Sequence, residues 1–384
     1  MKIRASYGSL GNQDLKDYYP YASVLALDAS YWFGDSKNYT TGIYSNALSN
    51  PEISWEKSQQ FDFGLDITAF NTRLDVTFDY YIREISDMLQ QFPVTYAVGL
   101  TSPWENAGNM RNNGWDLSVM WHDRIGKVKY NIRAMLSDVK NEVTDLYGNK
   151  YINDNNTTQE GFPISSWYGY VADGIFQSQE EIDAYDAFLP SAVKSTIMPG
   201  DIRYKDLNGD HIIDIHDQTN LGSKKAKGYY GISAGFNYRG FDFSVFAQGT
   251  LNRQVYLNGD FMDGSGKSGE GAITSYVLGR WTPDNHTNTH TRVWYGSNNN
   301  NRQTSSFWIY DADYFRLKNV EIGYTLPTLL TRKLGIPSVR IYAQGMNLLT
   351  ASEIFDVRKD IDPEIWGGSF PMTRTINFGI SIKL

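Results

Sequence analysis

Hydrophobic and polar residues alternate along many stretches of this chain, most regularly near its last residue. From Thr375 to Leu384 every even position is apolar and every odd position is polar or glycine. Because side chains of a β-strand point alternately to its two faces, this stretch predicts a strand with one apolar and one polar face. A final strand of this kind, preceded by several similar ones, is typical of a transmembrane β-barrel.

The alternating stretches come mostly in pairs joined by short turns, which is the pattern of β-hairpins. With a first strand at 2–8 and a last one at 373–384, they predict about ten strands. The alternation slips between Leu317 and Val320, which predicts a β-bulge. The paired stretches are 60–70 with 73–83, 114–122 with 127–137, 231–238 with 241–247, and 307–324 with 338–344.

Short and long connections alternate along the chain. The short ones lie near residues 71, 124 and 239 and at 326–337, and the long ones are 9–57, 84–112, 139–228, 250–304 and 347–372. If neighbouring strands are antiparallel, all short turns lie at one rim and all long loops at the other. Outer-membrane barrels have this asymmetry, with long extracellular loops. We therefore predict an all-β fold, an antiparallel transmembrane barrel over residues 1–384, with 139–228 as a large extracellular loop region.

Composition narrows the class of protein. The longest purely apolar runs are four residues long, at 24–27 and 307–310, whereas a membrane helix needs about 20. Barrel strands need only about 9–11 residues, so a mean hydropathy of -0.45 is compatible with them. The 27 tyrosines and 10 tryptophans suit aromatic girdles at the membrane interfaces. A net charge of -8 argues against a nucleic-acid partner, and the absence of cysteine excludes disulfides.

An acidic stretch at 206–217 has the ligand spacing of a calcium-binding loop. Oxygen-bearing side chains occupy loop positions 1, 3, 5, 9 and 12, and a backbone carbonyl is available at position 7. His211 stands where such loops have glycine, and the last ligand is a short aspartate; the alternative is an acidic turn held by Asx hydrogen bonds. The candidate ligands are Asp206, Asn208, Asp210, Ile212 through its carbonyl, Asp214 and Asp217.

Other motifs are weaker. The G-x-G-x-x-G string at 264–269 lacks the strand and helix that a phosphate loop requires, and His286 and His290 lack a nearby third zinc ligand. No catalytic triad or paired carboxylate can be selected, so the sequence predicts no catalytic residue and no enzyme. Five loop tryptophans can either stack on sugar rings or pack within folded loops, and they assign no substrate contact: Trp104, Trp167, Trp281, Trp294 and Trp366.

Several segments, in order along the whole chain, resemble the SusC/RagA family of TonB-linked outer-membrane transporters from Bacteroidota. The resemblance implies a barrel of about 22 strands with an N-terminal plug and a TonB box. It also implies a SusD-like surface lipoprotein as partner, import of oligosaccharides or peptides, and energy relayed by TonB. The matching segments are 2–8, 11–12, 161–164, 168–170, 174–178, 199–217, 314–327, 347–350 and 371–384.

The resemblance covers only the C-terminal part of that family. We therefore expect the sequence to be a fragment of a longer transporter, or one chain of a split one, that does not transport alone. The alternative is a secreted, soluble β-rich carbohydrate-binding module, whose apolar strand faces would be packed in a core. A glycosidase would need two carboxylates about 5–9.5 Å apart across a cleft, and the sequence nominates no such pair.

Overall fold

The computed structural model describes all residues except 16–18, 33–38, 46, 92–93, 186, 188–195, 259–261, 263–274, 295–297, 299, 333–334, 366–369 and 384. No helix within the described residues is long and apolar enough to cross a membrane. Within these described ranges, α-helices lie at Gln179–Ala184, Thr328–Thr331 and Ile354–Val357, and short 3-10 helices lie at Tyr96–Val98, Ile215–Asp217, Ser275–Gly279 and Ser306–Trp308.

Strands dominate the described residues. Their bounds are β1 Lys2–Asn12, β2 Leu25–Trp32, β3 Tyr39–Ser45, β4 Glu56–Ala69, β5 Leu74–Ser86, β6 Leu89–Gln91, β7 Trp104–Asn106, β8 Asn109–Ile125, β9 Val128–Asp145, β10 Tyr151–Asn153, β11 Asn156–Thr158, β12 Ser166–Tyr170, β13 Ala172–Ile175, β14 Ile202–Tyr204, β15 Gln218–Gly222, β16 Gly228–Tyr238, β17 Phe241–Leu251, β18 Gln254–Tyr256, β19 Ile309–Asp311, β20 Tyr314–Thr325, β21 Ser338–Ser352 and β22 Thr375–Lys383.

Ten long strands form one sheet, which we call the wall. Their order is β1-β4-β5-β8-β9-β16-β17-β20-β21-β22, so each strand pairs with the next wall strand along the chain, and every pair is antiparallel. This confirms the predicted architecture. β8 and β9 extend past the predicted ranges 114–122 and 127–137, because their polar ends lose the strict alternation yet stay paired.

The antiparallel order places the short connections at one rim of the wall and the long ones at the other, as predicted. At the tight turn between β4 and β5, Phe70, Asn71 and Thr72 all adopt positive φ. At the turn between β16 and β17, Gly240 has φ +90°, and a Cβ there would lie 2.7 Å from the carbonyl oxygen of Thr325. Only glycine fits that close approach without strain.

One predicted strand begins too early. The segment 307–324 is not a single strand: Ser306–Trp308 is a 3-10 turn, β19 pairs with β18 in a separate two-stranded sheet, and β20 starts at Tyr314. The cause is burial, since Trp308 is 0% exposed within the loop core. The predicted bulge is confirmed, because the pairing of β20 with β21 shifts register between Leu317 and Asn319.

The apolar face of the wall is exposed. In the last strand, Phe378 is 83% and Ile380 66% exposed, and register lines Ile380 up with Ile341 and Tyr324 on the neighbouring strands. The large hydrophobic core lies instead among the long connections, where Phe176, Ile202 and Trp308 share one buried cluster. This is the reverse of a soluble module, which would bury the apolar strand faces.

Candidate functional site: the loop layer and the inner face of the wall

The polar face of the wall, which we call the inner face, carries charged side chains in ion pairs. On β1, Arg4 lies 2.9 Å from Asp66 and 2.8 Å from Asp79, nitrogen to oxygen. At the other side of the sheet, Arg340 forms ion pairs with Asp242 and Glu321. Such a face requires water, so the wall is apolar on one side and hydrated on the other.

A buried charge cluster ties the last long connection to this face. Arg316 of β20, whose side chain is 2% exposed, donates from Nη2 to Asp362 Oδ1 at 2.6 Å and from Nη1 to Glu364 Oε2 at 2.7 Å. Lys318 Nζ lies 3.0 Å from the same Glu364 oxygen. The connection between β21 and β22 therefore folds back against the wall and is held there by paired charges.

The carboxylate of Asp362 organises that connection. Burial opposes its charged form, but hydrogen bonds from Arg316 and from the backbone N–H groups of Glu364 and Met372 hold the pKa of Asp362 below its usual value. The two backbone donors each lie 2.9 Å from it. One side chain thus joins β20 to both arms of the segment 362–372.

A second buried network joins two other long connections. Asp201 is 1% exposed and accepts two hydrogen bonds from Arg292, at 2.8 and 3.0 Å. The side-chain amides of Asn298 and Asn301 donate to it at 3.1 and 2.8 Å. Because Asp201 precedes β14 and its partners precede β19, this carboxylate fastens the connection after β17 to the connection after β9. The hydrophobic core packs these two connections together, and we call the folded long connections the loop layer.

The acidic stretch 206–217 lies in the loop layer, and the structure brings together three of its predicted ligands. Carboxylate oxygens of Asp206, Asp210 and Asp217 lie within 4.8 Å of one another. His211 has φ +64°, so it adopts the left-handed conformation for which calcium loops use glycine. Burial opposes the charged form of Asp206, but the backbone N–H groups of His211 and Gly209 donate to it and hold its pKa below the usual value.

The other predicted ligands have different roles in the loop. The Asn208 side chain donates to Asp210 and accepts from the Asp210 backbone N–H, each at 2.9 Å. The Asp214 carboxylate accepts from His216 N at 2.7 Å and caps the 3-10 helix 215–217. Asp217, which is fully buried, accepts from the N–H of Asp214 in the same capping box. The side chain of Ile212 is 48% exposed, as expected if only its carbonyl is used.

The structure also places the loop aromatics and histidines. Trp167, Trp281 and Trp294 are at most 9% exposed and pack inside the loop layer, Trp104 is half-buried, and Trp366 lies outside the described residues, as does the glycine string 264–269. His290 stacks on Tyr276 with ring centroids 4.2 Å apart, and His286 packs on Trp281 at 5.5 Å. Among the described residues, the candidate metal-binding cluster is the acidic one.

Sequence reasoning missed both buried charge networks. Arg292 and Asp201 are 91 residues apart, and Arg316 and Asp362 are 46 apart, so no local spacing connects them. The available signal was that each network has a charged residue in a segment that resembles the SusC/RagA family. Asp201 lies in the segment 199–217, and Arg316 lies in the segment 314–327.

A wall with an exposed apolar face, a hydrated inner face and a folded loop layer at one rim defines the class of outer-membrane β-barrel proteins. Within that class, residues 1–348 match the model of the TonB dependent receptor-like, beta-barrel family. The chain belongs to this family, and the SusC/RagA resemblance is confirmed. Barrels of this kind, SusC among them, are outer-membrane proteins of Bacteroidota, and the chain is an outer-membrane protein of that type.

Curated relatives match the entire chain, two of them as follows. TonB-dependent receptor P26 of Formosa agariphila is 29% identical, and TonB-dependent receptor SusC of Bacteroides thetaiotaomicron is 24% identical. Among solved structures, that of the RagAB peptide transporter superposes over 99% of the chain with a TM-score of 0.78 and 24% identity. The chain spans 40%, 37% and 40% of the lengths of these three proteins, respectively. The family is one of receptors and transporters rather than of enzymes.

Proposed function

We propose that this chain forms part of the wall and of the loop layer of a TonB-dependent transporter, which imports oligosaccharides or peptides across the outer membrane. Its partners would be a SusD-like surface lipoprotein over the loop layer, TonB, and the lipid around the wall. The observation that supports this most directly is the polarity of the wall. Apolar side chains such as Phe378 are exposed, and the charged residues of the inner face are paired, as a lipid exterior and a hydrated interior require.

The relatives support the proposal at the level of the whole protein. SusC is a TonB-dependent receptor, and RagAB is a peptide transporter. A chain that supplies about two fifths of such a protein contributes ten strands and five long connections. We propose that it works only together with the remaining parts of a barrel, because an open sheet leaves two unpaired edges, at β1 and β22.

The proposal is tested in the organism that encodes the protein. Disrupting the gene should abolish uptake of one class of labelled oligosaccharides or peptides, and the protein should fractionate with the outer membrane and require detergent for extraction. A surface lipoprotein should co-purify with it. Unchanged uptake of every oligosaccharide and peptide supplied, or solubility of the protein without detergent, would refute the proposal and favour the soluble binding module.

We also propose that the acidic loop binds calcium. Calcium takes about 6–8 oxygen ligands, and Asp206, Asp210 and Asp217 supply carboxylates while Ile212 supplies a backbone carbonyl. The side chains of Asn208 and Asp214 complete the predicted set only by leaving their present hydrogen bonds. Extracellular calcium modules bind in the range of about 10⁻⁴–10⁻³ M, and we expect an affinity of this order.

Calorimetric titration of the folded protein with calcium tests this proposal. Asp210→Asn keeps the acceptor oxygen that holds the N–H of Ile212 but removes a negative charge, so it should weaken calcium binding about tenfold. Asp183→Asn, an exposed aspartate outside the loop, is the matched control and should bind calcium normally. Absence of calcium binding by the unaltered protein would contradict the proposal.

A further inference from the structure

One of the short connections of the wall contains a helix. Residues 326–337 join β20 to β21, and we call their first part, 326–332, the helical turn because it includes the α-helix Thr328–Thr331. Leu329 is 80% and Leu330 is 60% exposed, whereas the polar Thr331 is 3% exposed. A turn that faced water would show the opposite arrangement, with threonine outside and leucine inside. The helical turn therefore presents an apolar surface outward.

The backbone of the helical turn is held by hydrogen bonds within it. The N–H of Leu330 donates to the carbonyl of Pro327 at 2.9 Å, and the N–H of Arg332 donates to the carbonyl of Thr328. The Thr331 hydroxyl donates to the same Thr328 carbonyl at 3.4 Å. Because an unsatisfied backbone group is costly in lipid, a segment that enters a membrane needs internal hydrogen bonds of this kind.

The helical turn continues the apolar face of the wall. Ile322, near the end of β20, is 53% exposed, and Ile341, near the start of β21, is 48% exposed. The N–H of Leu326 donates to the carbonyl of Val339 at 2.9 Å, so the turn begins where the pairing of these strands ends. In an outer-membrane barrel the rim with short connections faces the periplasm. The two exposed leucines therefore lie at the level of the headgroups of the periplasmic leaflet.

Basic side chains lie at the same rim. Arg332 follows the two leucines directly and is exposed. The other short turns also combine exposed basic residues with large exposed apolar ones. The basic residues are Arg73, Arg124, Lys127 and Arg239, and the apolar ones are Phe70, Ile125 and Phe241. Apolar and basic side chains together are typical of a surface that lies in the interface of an anionic membrane.

We propose that the helical turn anchors the wall in the periplasmic leaflet of the outer membrane. Leu329 and Leu330 lie among the acyl chains, and Arg332 contacts the phosphate of an anionic phospholipid, since a guanidinium matches phosphate with two parallel hydrogen bonds. The inference goes beyond the proposed transport function and does not depend on it. The competing occupant of this surface is the remaining part of the transporter, and the experiment distinguishes the two.

Fluorescence quenching in lipid nanodiscs tests the anchor. The protein is purified from the outer membrane of its own organism. The chain has no cysteine, so Leu329→Cys gives one site within it for a bimane label, and the unaltered protein gives the labelling background. Leu278→Cys is the matched control, because Leu278 is 79% exposed but lies in a 3-10 helix of the loop layer, at the opposite rim. Circular dichroism verifies that both variants are folded.

We expect brominated phosphatidylcholine in the nanodisc to quench the label at residue 329 and to leave the label at residue 278 bright. Acrylamide in the water should quench the label at residue 278 and lose most of its effect at residue 329. Quenching by acrylamide that is equal at both residues would place the helical turn in water and overturn the inference. A label at residue 329 that neither reagent quenches would show that protein covers the turn, which overturns it as well.

The contact of Arg332 with phosphate is tested with brominated phosphatidylglycerol as the quencher. One basic residue near an anionic membrane surface contributes about 1 kcal/mol, so this lipid should be enriched about fivefold over phosphatidylcholine around the label at residue 329. Arg332→Gln should remove most of that enrichment. Arg124→Gln, which changes an exposed arginine of the turn between β8 and β9, should retain it. Enrichment that Arg332→Gln leaves unchanged, or that both variants lower equally, would overturn the phosphate contact.

Discussion

Replacing Arg316 by methionine tests the buried charge cluster of the last long connection. Methionine keeps much of the apolar stem but removes the hydrogen bonds to Asp362 and Glu364. Asp362, with a side chain 5% exposed, would then be held only by backbone N–H groups. Breaking a buried ion pair costs about 3–5 kcal/mol because the remaining charge is uncompensated. Since Lys318 still neutralises Glu364, we expect the lower value, about 3 kcal/mol.

Amide hydrogen exchange of the protein in detergent measures this effect where it occurs. The N–H groups of Glu364 and Met372 donate directly to Asp362, so they report whether the connection stays attached to the wall. A cost of about 3 kcal/mol corresponds to a protection factor about 100-fold lower, at about 1.4 kcal/mol per factor of ten. Amides in the middle of the wall strands should keep their protection.

Arg111→Met is the matched control, because it makes the same substitution in an ion pair whose side chains are half-exposed, at 50% and 49%. Water screens that pair, so its loss should leave exchange of the Glu364 and Met372 amides unchanged. The reasoning would be refuted if these amides kept their protection in Arg316→Met, or if both variants lowered it equally.

Three further outcomes follow from the same structure. Hydrogen bonds hold the pKa of Asp362 below the unfolded value of about 3.9. Its contribution to stability is therefore complete above about pH 5 and is lost as the pH falls through the native pKa. Amide hydrogen exchange measured across that range should show this loss of protection, with no change above about pH 5. Phe378→Arg puts a charge on the lipid face and should reduce the free energy of folding by about 2–4 kcal/mol near the midplane, measured by folding into lipid vesicles. Asn377→Arg, on the inner face, should fold normally. Equal folding yields of the two variants would contradict the assignment of faces. Gly200→Ala should destabilise the loop layer by about 1–3 kcal/mol more than Gly161→Ala in chemical denaturation, because both glycines have positive φ but only at Gly200 would a Cβ meet a side-chain carbon, 2.6 Å away.

Much of the wall was predictable from sequence because its information is local. A two-residue period fixes which side chains share a face, and the turns at 71–72 and 239–240 fix which strands pair first. Whether a connection is short or long then indicates at which rim of the wall it lies. The prediction failed at Phe307 and Trp308, which begin a purely apolar run but lie in a 3-10 turn packed in the loop core and not in a wall strand. The bounds of the loop region 139–228 as a separate unit stay a prediction.

The loop layer was decided by tertiary structure. The spacing of Asp206, Asp210 and Asp217 predicted a cluster of oxygens, but the same sequence did not show that Asp214 caps a helix. Nor could it pair Arg316 with Asp362 across 46 residues, or Arg292 with Asp201 across 91. Periodicity describes a chain along its own axis, and it therefore determines strands and their faces. Contacts between connections depend on how distant segments pack together, and only the folded structure specifies that packing.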